Sequence, residues 1–171
     1  MKQIKSITLF FLFVLGIFAT VFSQVLLPEV IISATRYKYL SAVDNRELAQ
    51  PIRLLENQAA TYDVKNSEYY DDEYEEYNIS FYLPAGYVLA TYNKDGKLLR
   101  TAERYKNVAL PKSVAQSLVK RYPHWAIPKD VYKVTYEEDK GVTKVWKVLL
   151  KQGDKRLKVK LTEEGEFTTK L

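Results

Sequence analysis

Residues 77–106 read YNISFYLPAGYVLATYNKDGKLLRTAERYK. Three runs of β-branched and aromatic residues are separated by Pro84-Ala85-Gly86 and by Asn93-Lys94-Asp95-Gly96. Turn residues between such runs predict an antiparallel meander, with strands near 77–83, 87–92 and 98–105. In the first strand Tyr77, Ile79, Phe81 and Leu83 share one face, while Asn78, Ser80 and Tyr82 share the other. This alternation marks a sheet covered on one side only. About 69 residues downstream, Thr162-Glu163-Glu164-Gly165-Glu166-Phe167 echoes the Asp-Gly turn.

Upstream, Leu48, Ile52, Leu55 and Ala59 recur at helical spacing within residues 46–60. Pro51 fits a first helical turn, so the regular helix is expected to begin near Gln50. Residues 62–65 read as a short strand. A second helix is expected over 110–122, with Leu110, Val114, Ala115, Leu118, Val119 and Tyr122 as its apolar stripe and Pro123 as its stop. Four more strands follow, near 127–136, 144–151, 155–161 and 166–170. Arg156, Lys158 and Lys160 alternate there with Leu157, Val159 and Leu161, giving one basic face and one packing face. The expected fold class is α+β: an antiparallel sheet of about eight strands with two helices on one face, in two tandem helix-plus-four-strand repeats, 46–107 and 108–171.

Lys2 and Lys5 precede an apolar run over residues 7–21, and Ser23-Gln24 offers a cleavage point. The run is shorter than the roughly 18–20 residues of a spanning helix, so residues 1–23 read as a secretory signal peptide. A periplasmic or secreted location is expected, with no stable membrane span after cleavage. Residues 24–45 read as an N-terminal arm or edge strand. PEVIISATR (residues 28–36) resembles the opening of the plug region of TonB-dependent receptors, but the chain is far too short for such a barrel.

The chain has no cysteine and a single histidine, which excludes disulfides and the usual zinc sets. His124 lies just past a helix end with no nucleophile motif beside it, and reads as a loop residue. No phosphate-binding glycine motif occurs. Residues 68–76 hold six carboxylates and no base, without the spacing of a calcium loop. Residues 140–160 hold eight bases against Asp154 alone. The 26 Lys and Arg exceed the 21 Asp and Glu by five, and by three once Lys2 and Lys5 are removed, too little to imply nucleic acid. Opposite potentials at two ends of the domain can steer partners or favour self-association.

The phrases YNKDGKLLRT (92–101), LPKSV (110–114) and KRYPHW (120–125) resemble the PepSY-like family of secreted bacterial proteins, related in fold to β-lactamase-inhibitor-type domains. The resemblance spans roughly residues 48–171. It implies two helix-plus-strands repeats, an extracytoplasmic address and binding or inhibition of other proteins, and it supplies no catalytic residue, cofactor or metal. The expectation is therefore a non-catalytic module gripping a protein or peptide of the cell envelope with the open sheet face. Tyr69, Tyr70, Tyr74 and Tyr82, together with Lys147, Arg156, Lys158 and Lys160, are the candidate contacts, since exposed tyrosine supplies stiff contact area. A small enzyme of unknown reaction and an envelope-assembly protein are the alternatives.

Overall fold

The computed structural model describes residues 34–169. The signal-peptide reading at 1–23 and residues 24–33 of the arm lie outside the described residues. Nine elements follow in order: α1 (Ala34–Val43), α2 (Gln50–Thr61), β1 (Glu76–Leu83), β2 (Gly86–Asn93), β3 (Leu98–Lys106), α3 (Lys112–Arg121), β4 (Ala126–Glu137), β5 (Gly141–Gln152) and β6 (Lys155–Leu161). The strands form one antiparallel sheet in the order β1-β2-β3-β4-β5-β6, each pairing with its sequence neighbours.

The turn chemistry acts as read. Gly86 opens β2 at a point where a Cβ would meet the Arg104 carbonyl oxygen at 2.4 Å, so only glycine fits between β2 and β3. Asn93 closes the next turn: its amide donates to the Lys97 carbonyl (2.9 Å) while its Oδ1 accepts from Asp95 and Lys97 N–H. Residues 162–166 repeat that turn, with Thr162 N–H to Glu166 O at 2.8 Å and Gly165, like Gly96, at positive φ.

Six strands form, not about eight. At residues 62–65 the Asp63 carboxylate bonds the Asn66 side chain and backbone, and Ser67 N–H reaches the Val64 carbonyl. These local bonds turn the chain away from a ladder. Of residues 166–170, read as a strand, the described ones, 166–169, contribute a single bridge, Leu161 to Phe167, and reach a bend at Thr169. Among the described residues three helices form, not two. Residues 34–43, read as part of an extended arm, wind into α1, which anchors itself through Tyr39 and Val43 one turn apart, both buried.

All three helices lie on one face. Pro51 sits in the first turn of α2, as expected, and Ile52, Leu55 and Ala59 are buried. The Tyr92 hydroxyl on β2 donates to the Ala59 carbonyl at 2.6 Å, satisfying one of the free carbonyls near the end of α2. Helix α3 buries Val114 and Leu118, whereas Val119, expected in its stripe, is 67% exposed. Between helices and sheet runs an aromatic stack: Tyr132 lies 4.5 Å from Trp146 and 6.1 Å from Tyr105, centroid to centroid. Tyr77 is buried on the same side, and Ile79, Phe81 and Leu83 pack against the core, as the alternation in β1 requires.

Candidate functional site

The face of the sheet turned away from the helices carries the clearest feature. Strand period two sends Arg104 of β3, Lys129, Val131 and Lys133 of β4, Lys147 and Leu149 of β5, and Lys158 and Lys160 of β6 to that side. Register then stacks them in rows. Arg104 pairs with Lys133; Val131 with Lys147, and Lys147 with Lys160; Lys129 with Leu149, and Leu149 with Lys158. Like charges directly opposite one another destabilise an antiparallel pair. The result is a groove of about 500 Å³ in which five cations, Arg104, Lys129, Lys147, Lys158 and Lys160, surround Val131 and Leu149.

No carboxylate among the described residues forms an ion pair with these five. The Arg104 Nε is buried and has no hydrogen-bond partner. Partial burial, reinforced by the positive charge of Lys133, Lys160 and Arg104, holds the Lys147 ammonium below the usual lysine range. A site of this kind favours an anion, and its apolar floor favours one with aliphatic or aromatic parts.

Of the expected contacts, Lys147, Lys158 and Lys160 meet in this groove, and Arg156 stands on the same face opposite Lys151. The tyrosines do not join them. Tyr82 is 67% exposed on β1, beside Tyr87. Tyr69 and Tyr74, 62% and 60% exposed, flank a separate groove along β1 with Glu76, Asn78 and Ser80. Tyr70, expected to be exposed, is half-buried and stacks on Tyr77 at 5.6 Å. The one surface expected from sequence is thus two. Arg104, Lys129 and Lys133 were not among the expected contacts, although the alternation of Arg100, Ala102 and Arg104 in β3 carries the signal.

A second constellation lies under the helices. Glu103, at the centre of β3 and 3% exposed, accepts from Tyr39 Oη (2.8 Å), Thr101 Oγ1 (2.7 Å) and Tyr105 Oη (2.9 Å). Burial pushes its carboxyl up against the pull of those three donors. Glu56 of α2, also 3% exposed, is pushed up to about 9, by burial first and then by Glu103. Its Oε1 is sealed from solvent without a partner. Nearby, Glu163 accepts from Tyr132 Oη and from Lys144 Nζ, both at 2.9 Å, and Lys144 also reaches the Val43 carbonyl. These bonds tie α1 and the turn after β6 to the sheet. Glu56 also borders a cavity of about 320 Å³ between α1 and α2, with Tyr37, Asp44 and Arg53. His124 stands apart, exposed and at positive φ after α3.

No family model, no curated protein and no solved structure matches this chain.

Proposed function

We propose that this chain is a non-catalytic, extracytoplasmic binding module that holds an acidic segment of a protein or peptide in the basic groove on the open face of its sheet. The observation that carries the reading is the cation set of the groove, Arg104, Lys129, Lys147, Lys158 and Lys160 around Val131 and Leu149, with no ion-paired carboxylate among the described residues. Uncompensated like charge opposes folding and is relieved when an anion binds. The PepSY-like resemblance fits this reading. In its support, the element order is a helix and three strands, twice over after α1, and the turns at 93–97 and 162–166 share the same hydrogen bonds. On a repeat reading aligned on those turns, the first unit would be without an opening strand at 62–65 and the second without a closing strand over the described residues 166–169.

An enzymatic reading would rest on Glu56, a carboxyl that stays protonated near neutrality. A general acid must reach its substrate, and the unpartnered oxygen of Glu56 is closed off from solvent. The groove reading is tested with a fluorescein-labelled peptide of alternating Glu and Tyr, titrated with the purified chain and followed by anisotropy at low salt. Reversing two groove charges, Lys147→Glu with Lys160→Glu, is expected to weaken binding by tenfold or more, about 1.4 kcal/mol. Lys120→Glu, on exposed α3 across the sheet, is expected to change it less than about twofold, since distant rim charges act mainly on encounter rate. Equal losses in both variants, or none in the groove variant, would refute the assignment.

A further inference from the structure

Resting on the groove reading, the geometry points to a specific occupant: we infer that the acidic, tyrosine-bearing segment 68–76 of a second copy docks in the basic groove, so that copies join head to tail. The segment carries six carboxylates. Glu75 and Glu76 are engaged by Lys94 and Arg100 at 2.9 and 2.7 Å. Glu68, Asp71, Asp72 and Glu73 form no ion pair among the described residues. Four uncompensated anions on one end therefore face a groove of five uncompensated cations on another.

The segment is also shaped for the task. The Tyr77 hydroxyl bonds the Asp71 carbonyl and Tyr70 stacks on Tyr77, which pins the loop to the start of β1. Pinning lowers the entropy lost on docking. Tyr69 and Tyr74 project outward between the acids, and Val131 and Leu149 give their rings an apolar floor. The same pinning forbids the loop from filling the groove of its own chain. The loop leads into β1, while the groove lies across β3 to β6, about 10–24 Å away at the usual strand spacing. Because the two surfaces differ, the contact is heterologous and propagates into a ring or an open filament.

Sedimentation velocity on the purified chain tests this. At about 20 mM salt the mass is expected to rise with concentration, and at about 0.5 M salt, where the screening length is only a few ångströms, to fall to that of a monomer. Two double variants are then made: Lys147→Glu with Lys160→Glu in the groove, and Asp72→Lys with Glu73→Lys in the loop. Neither Asp72 nor Glu73 accepts a side-chain hydrogen bond among the described residues, so both variants are expected to keep their fold, which circular dichroism is used to check. Each is expected to be monomeric alone. Mixed in equal amounts they should form a 1:1 dimer and nothing larger, because one intact groove and one intact loop remain. Excess Glu–Tyr peptide should dissociate the parent assembly. A parent chain that stays monomeric at low salt while still binding the peptide overturns this inference and leaves the groove reading standing; failure of both overturns both. A single variant that still self-associates, or a mixture that elongates, also rules out the head-to-tail contact.

Discussion

Replacing Glu56 by glutamine should make the protein more stable at pH 8, although it alters a buried polar residue. The Glu56 carboxyl sits at about 9 in the fold, against a usual glutamate value near 4.5. Below pH 4.5 the folded and unfolded chains are both protonated there, and the group's full contribution is present. Between 4.5 and 9 the unfolded chain releases a proton that the folded chain keeps, so stability falls by about 1.4 kcal/mol per pH unit. At pH 7 the accumulated cost is about 3 kcal/mol, and it levels off above 9. Burial contributes most to this rise; of the charged groups facing Glu56, Glu103 on β3, Glu163 after β6 and Asp44 after α1 add to it, while Lys144 on β5 opposes it. Glutamine has nearly the same shape and never ionises, but its amide inherits an unpartnered position, which offsets part of the gain. With about 5 kcal/mol of relief at pH 8 and an amide cost of about 1–3 kcal/mol at every pH, the expected net is a gain of about 2–4 kcal/mol at pH 8 and a loss of about 1–3 kcal/mol at pH 4.5, read from urea unfolding midpoints across that range. Curves for parent and variant that run parallel from pH 5 to 9 would refute the argument.

Two further substitutions probe the packing. Gly86→Ala places a methyl against the Arg104 carbonyl oxygen and the Tyr105 ring, at 2.4 and 2.6 Å, so β2 and β3 must part; a loss of about 2 kcal/mol or more is expected in urea unfolding, and a loss below about 0.5 kcal/mol would contradict the close approach. Tyr92→Phe removes the hydroxyl that caps the Ala59 carbonyl and is expected to cost about 1–2 kcal/mol, with faster amide exchange in the last turn of α2; unchanged exchange there would show that the bond does not hold the helix end.

Much of the sheet could be read from the chain because its signals are local. Period-two alternation in residues 77–83 and 155–161 and the turns at 84–86 and 93–96 need no distant partner to act. The failures have tertiary causes. Helix α1 escaped because its neighbours at 28–33 are β-formers and only Tyr39 and Val43 mark an inward side. Nothing near Glu56 or Glu103 in sequence announces Tyr39, Tyr105 or Lys144, so neither drew a reading. In the groove, Lys147, Lys158 and Lys160 were visible from alternation, but Arg104 and Lys129 join them only through the register of β3 to β6. The tyrosines were separated from those lysines by strand order, which composition does not encode.

The two borders of the sheet are guarded differently. At β6 the returning tail shields the backbone, with Thr168 N–H bonded to the Lys160 carbonyl and Phe167 bridged to Leu161. At β1 no described strand covers the border, and the crowd of carboxylates beside it repels another β-ribbon carrying the same charge. Copies that met through loop and face would leave every ladder hydrogen bond intact. Such a chain of molecules grows without cross-β stacking, so it can be taken apart again by ions alone rather than by denaturant.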